Sequence, residues 1–134
     1  MRHIISVLLE NEAGALSRMT IVTSGSDDII EQITKHLNRL IEVVKVVDLT
    51  EGAHIERELM LIKVAGAGEE RMEALRLADA FRARVVDATT ESLVFEMTGA
   101  GEKLDAFIAL MRPLGLKEIC RTGVCAMARG PRGL

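Results

Sequence analysis

The sequence predicts an α+β fold of two units of order βαββαβ, the first of them lacking a helix and a strand. Three features carry this reading. Short β-branched runs alternate with stretches whose apolar residues recur every three or four positions. Gly-rich turns mark the points in the second half where strand gives way to helix. The first half closes on the same β-α-β order as the second, but without the helix and strand that should precede it. The chain has 134 residues, 49% hydrophobic and 28% charged, a balance that suits a globular protein. A unit of about 65 residues is marginal alone, so the two should lean on each other or on a partner.

Residues 3–9 are β-branched and apolar with no helical period, and predict a strand. A polar loop over 10–17, carrying Gly14, should follow, then a strand over 19–23. Ser26 is a helix N-cap signal, and Asp27 and Asp28 suit the positive end of the helix dipole. Ile29, Ile30, Ile33, Leu37, Leu40 and Ile41 give that helix an apolar face, with Glu31 and Lys35 paired four apart. Residues 43–48 return to strand. The connection over 50–53 divides a first domain, 1–50, from a second, 51–134. In the second, 55–64 predicts a strand with Ile55, Leu59 and Leu61 alternating against Glu56, Glu58 and Lys63. A helix over 69–81 carries Met72, Leu75, Ala78 and Phe81. Strands over 84–88 and 93–98 are followed by a helix over 102–111 with Leu104, Phe107, Ile108 and Met111 inward. Pro113-Leu114-Gly115 stops it, and strands over 116–121 and 124–128 complete the unit. That order is ferredoxin-like: an antiparallel sheet with two helices on one face.

Composition narrows the function. The net charge is −3 and the pI about 5.6. There are three Phe and no Trp or Tyr. The chain therefore lacks both the basic footprint and the stacking platforms of a nucleic-acid binder. Arg129 and Arg132 form only a small basic cluster, read as a solvated tail. The apolar opening, broken at Glu10, is too short for a secretory leader or a membrane span. A cytoplasmic protein is expected, with Cys120 and Cys125 as reduced thiols read as small buried strand residues.

No reactive centre is recognisable. Gly66-Ala67-Gly68 and Gly99-Ala100-Gly101-Glu102-Lys103 sit between strand and helix, but Leu104 stands where a phosphate loop needs a hydroxyl. They read as tight turns. His3, His36 and His54 are widely spaced, and the cysteine spacing fits no metal site. The loop after the first strand is the remaining candidate. Asn11 can donate and accept hydrogen bonds, Gly14 permits close backbone approach, and the amides there could hold an amino-acid carboxylate. An ordinary turn is the competing reading.

At these residues a family resemblance appears. The run Leu9-Glu10-Asn11-Glu12-Ala13-Gly14-Ala15-Leu16-Ser17-Arg18, within residues 2–18, resembles the opening of the regulatory (small) subunits of acetolactate synthase, also called acetohydroxyacid synthase. Residues 37–49 are similar too, as are Arg121-Thr122-Gly123-Val124 and Ala128-Arg129-Gly130. The most specific stretch is His54-Ile55-Glu56-Arg57-Glu58-Leu59-Met60-Leu61-Ile62-Lys63-Val64. The resemblance implies an N-terminal ACT domain and a C-terminal ACT-like domain, no catalytic residue on this chain, and a homodimer. It implies a partner, the catalytic (large) subunit, which would hold thiamine diphosphate, Mg²⁺ and FAD. It implies activation of that subunit and feedback inhibition by valine in branched-chain amino-acid biosynthesis. Valine would be held by Asn11, Ala13, Gly14, Ala15 and Leu16. In relatives a helix and a strand follow the first Leu-Ser-Arg. Here Leu16-Ser17-Arg18 runs straight into Met19-Thr20-Ile21. The alternative expectation is therefore a dimerising ACT-type module that has lost valine sensitivity.

Overall fold

The computed structural model describes residues 2–12, 15–40, 43–131 and 133; of Asn11, Glu12 and residues 15–17 it describes the backbone only. The fold is α+β, with antiparallel sheets and, among the described residues, three α-helices. By contact, residues 1–56 with 124–134 form one unit and 57–123 another. The boundary read from sequence, after residue 50, gave 124–134 to the second.

The first unit holds β1 (Arg2–Glu12), β2 (Ala15–Ser24), α1 (Asp27–Asn38) and β3 (Val43–Asp48). The sheet order is β2-β1-β3, with both pairings antiparallel. In the complete ferredoxin-like order the absent strand would sit outside β2, at the sheet edge. Its loss therefore leaves a continuous three-stranded sheet, with β1 and β2 paired directly as a hairpin. The polar loop expected over 10–17 is instead strand up to Glu12 and again from Ala15, because the cross-strand ladder extends to the hairpin end.

Strand alternation gives this sheet two buried faces. Ile5 and Val7 pack with Ile30 of α1, supported by Ile21, Ile33, Leu37 and Val46. Ser26 caps α1 through a long bond from the Ile29 N–H, 3.5 Å, and Lys35 lies 3.2 Å from Glu31. Two residues of the expected apolar face turn outward: Ile29 is 50% and Leu40 53% exposed. Ile41 lies outside the described residues. On the opposite face Ile4 and Leu49 pack with Ala126. Ala126 lies on a short strand, β8 (Cys125–Ala128), that pairs with β4 (His54–Val64), whose first residues belong to this unit.

The second unit continues β4 and adds α2 (Gly68–Ala80), β5 (Arg84–Ala88), β6 (Leu93–Gly99), α3 (Gly101–Met111) and β7 (Leu116–Arg121). Its strand order, β5-β6-β4-β7, is that of a complete ferredoxin-like unit. Met60, Ile62 and Val64 of β4 and Leu93, Phe95 and Met97 of β6 meet Ala74 and Ala78 of α2 and Leu104, Phe107 and Met111 of α3. Phe107 anchors the cluster, with ring centroids 5.3 Å from Phe81 and 6.1 Å from Phe95, the latter edge-on. Those geometries add to area burial.

Two sequence expectations fail here. The core face of β4 carries Glu58, Met60, Ile62 and Val64, while Ile55 and Leu61 are exposed. Both faces of that strand carry apolar residues, so alternation alone could not choose. On α2, Met72 is 73% exposed and Leu75 39%. Ala74 and Ala78 take the sheet side because small side chains let the helix approach closely. The four residues expected inward on α3 are all buried. No helix among the described residues is long and apolar enough to cross a membrane.

Candidate functional site

The hairpin register pairs Arg2 with Ser24 and runs through Glu10 with Leu16 to Glu12 with Ala15, shifting between Glu10 and Glu12. Asn11 stands at that shift, in the manner of a β-bulge, which re-aims a residue and frees backbone groups from the ladder. Ala15 and Leu16 open β2 directly across from it. The structure thus brings Asn11, Ala15 and Leu16 to one hairpin end. Ala13 and Gly14, the other two residues expected to hold a ligand, lie outside the described residues.

Three charged clusters were invisible as sequence spacing. His3, 7% exposed, places Nδ1 3.0 Å from Asp48 Oδ2. The Thr50 N–H (2.9 Å) and hydroxyl donate to Asp48 Oδ1, and the Thr50 hydroxyl oxygen accepts from the Ile4 N–H at 2.9 Å. Burial alone would raise the Asp48 pKa, but the Thr50 and His3 hydrogen bonds outweigh it and hold the carboxyl below its usual range. At the start of β4, His54 Nδ1 donates to the Gly52 carbonyl at 2.8 Å, and its Nε2 lies 3.1 Å from Glu56 Oε2. Those two contacts, Gly52 first, raise the His54 pKa. Glu56 also receives Arg2 Nη2 at 2.8 Å.

In the second unit Arg121 donates twice to Glu58, both at 2.8 Å, and once to Asp105 at 2.6 Å. The Arg121 hydrogen bonds lead the lowering of the Glu58 pKa. This is a bidentate guanidinium–carboxylate pair, tying β4 to β7 and to α3. Its one sequence signal is that Glu58 is in phase with Met60, Ile62 and Val64. These clusters are joints between elements. Among the described residues no group of three or more His, Cys, Asp or Glu could hold a metal ion. Cys120 and Cys125 are both exposed, against the expectation of buried strand residues. Each falls on the outward side of its strand, β7 or β8. Arg129 is exposed, as a solvated tail should be; Arg132 lies outside the described residues.

Known proteins agree on one family. Residues 57–130 match the family described as the small subunit of acetolactate synthase. The chain is similar to the probable acetolactate synthase small subunit of Archaeoglobus fulgidus, at 43% identity over 97% of this chain and 98% of that protein. It is similar to the small subunit of Haemophilus influenzae at 41% identity, over 100% of this chain and 99% of that one. The crystal structure of the small subunit from Thermotoga maritima superposes with a TM-score of 0.85 at 34% identity, covering 98% of this chain and 99% of that chain. The alignment with the H. influenzae protein spans 162 positions for a chain of 134 residues, a difference of 28. A stretch of that length holds one ordinary helix and one strand with their turns.

Proposed function

The chain belongs to the family of acetolactate synthase small subunits, and from that premise we propose that it is a non-catalytic regulatory subunit of the acetolactate synthase transferase. It binds the catalytic subunit, raises its rate and passes on feedback inhibition by valine in branched-chain amino-acid biosynthesis. Thiamine diphosphate, Mg²⁺ and FAD belong to the catalytic subunit, and the complex works in the cytoplasm. The observation that carries this reading is the near end-to-end match to relatives named as small subunits.

The physical requirement is modest. A regulator needs only to bind two states of its partner unequally, and an effector needs only to bind two states of the regulator unequally. Valine would place its carboxylate on backbone amides among Asn11, Ala13, Gly14, Ala15 and Leu16, with a second copy of the chain completing the site in a homodimer.

A second reading is favoured by the hairpin itself. β1 and β2 pair directly over their whole length, and the alignment with the H. influenzae protein is 28 positions longer than this chain. A site that needs a helix and a strand after the loop would lack part of its wall. The chain would then activate its partner without answering to valine. One assay tests both: acetolactate formation by the catalytic subunit, with and without this chain, across a valine titration. Activation with inhibition by valine supports the first reading, and activation without it the second. No activation and no co-elution with the catalytic subunit would overturn both.

A further inference from the structure

We propose that the outer edge of β2 pairs with β2 of a second copy of the chain, joining two three-stranded sheets into one antiparallel sheet. The inference rests on the homodimer reading above and deepens it by naming the strand that makes the contact. In the order β2-β1-β3, β2 is an edge strand among the described residues. A chain with the complete ferredoxin-like order carries a further strand outside β2. The contact is therefore open to this chain because that strand is absent.

The register shows which backbone groups are free. The Leu49 N–H donates to the Ile4 carbonyl at 2.7 Å, and the Ile4 N–H donates to Thr50 Oγ1 at 2.9 Å. Ile4 thus turns its backbone groups toward β3. By strand alternation, Ile5 and Val7 turn theirs toward β2, where their partners are Ile21 and Met19. Arg18, Thr20 and Val22 alternate with those two residues, so they direct N–H and carbonyl outward from the sheet edge. Such a row of open groups is a template for another strand.

The two edges of this sheet are guarded differently. β3 has six residues and carries Lys45 and Asp48, and its ladder with β1 shifts between Lys45 and Val43. β2 has ten residues, with no proline, lysine or carboxylate, and no register shift from Leu16 to Ser24. Short, charged and bulged edges resist pairing, whereas long regular ones invite it. A second copy is the occupant that this edge fits. An antiparallel strand pairs with itself about a two-fold axis, and the contact then closes without leading to a fibre. An axis at Thr20 sets Arg18 against Val22 of the second copy, and Met19 against Ile21. It keeps the residues that face α1 on one side in both copies. Met19 is 43% exposed and Val22 41%. Met19 then buries against Ile21, and Val22 against the aliphatic stem of Arg18.

Analytical ultracentrifugation of the full chain over a concentration series tests the pairing, and a monomer–dimer equilibrium is expected. Val22→Pro removes an outward N–H that takes no part in the ladder to β1, and should weaken the dimer about tenfold or more. Val22 faces Arg18 of the second copy, so Val22→Glu should dimerise about tenfold more tightly than Val22→Lys. Adding Arg18→Glu to Val22→Lys should restore the dimer. Amide exchange at Arg18, Thr20 and Val22 should slow as concentration rises, while Met19 and Ile21 stay protected throughout. If Val22→Pro does not fold, the charge pair and the exchange pattern decide. A chain that stays monomeric overturns this inference and the homodimer reading together. Three results overturn this inference alone: a dimer that Val22→Pro leaves intact, equal dimerisation of Val22→Glu and Val22→Lys, or outward amides whose exchange ignores concentration.

Discussion

Glu58 shows how a single residue's role follows from strand phase. It shares a face with Met60, Ile62 and Val64, so its carboxylate is carried inside, where Arg121 meets it with two hydrogen bonds. Glu58→Gln leaves the guanidinium without its carboxylate and should cost about 2–3 kcal/mol in urea unfolding. Because the folded pKa is held below the ordinary 4.5, the contribution is present at neutral pH and is lost as pH falls through the folded value. The variant's stability should therefore depend less on pH at the acid end. His54 has the opposite sign. Its pKa is raised above 6.5, so its contribution is full below that pH and is lost as pH rises through the folded value. The stability difference between the native chain and His54→Gln should shrink above about pH 6.5, as measured by denaturant midpoints. Ser6→Ala removes a buried hydroxyl that has no hydrogen-bond partner among the described residues, so it should raise stability by about 1 kcal/mol in thermal melts.

Elements were legible where local composition was distinctive. β3 and β5 fall on the residues expected from their paired valines, and β7 also falls on the residues expected. α3 buries its predicted stripe of Leu104, Phe107, Ile108 and Met111 and leaves Leu110 exposed. On α2, Ala78 and Phe81 pack inward as expected, but the large Met72 and Leu75 outweigh Ala74 in any reading by size, while close packing favours the alanine. The stop after α3 was also legible. A 3₁₀ turn over Arg112–Leu114 ends at Gly115, whose φ of 87° is left-handed and where a Cβ would come within 3.2 Å of Ala65 Cβ and of its carbonyl oxygen. Gly115→Ala should cost about 1–3 kcal/mol, read by denaturant unfolding.

At the scale of the molecule, the C-terminal segment belongs by contact to the first unit, where Ala126 closes over Ile4 and Leu49. Removing residues 124–134 should therefore loosen β1 and β3 while sparing the core of β4 and β6. Hydrogen exchange would show it: protection of Ile4, Ile5 and Val7 should fall on the order of tenfold or more, with Ile62 and Phe95 unchanged. Equal loss in both units would contradict the division.

By itself the sequence determined the α+β order, most strand positions, the inward face of α3 and the family, because these depend on local pattern and on short motifs. It also marked the absent helix and strand, through Leu16-Ser17-Arg18 meeting Met19-Thr20-Ile21. Only the tertiary structure decided which face of β4 is inside, that the gap closes as a hairpin, and that residues 124–128 cover the first sheet. It alone set His3 against Asp48 and Arg121 against Glu58, and left Ser6 buried without a hydrogen-bond partner among the described residues. The reason is the same in each case. Pairings made 45 or 63 residues apart in the chain are fixed by register and packing, and neither is written in the spacing of nearby residues.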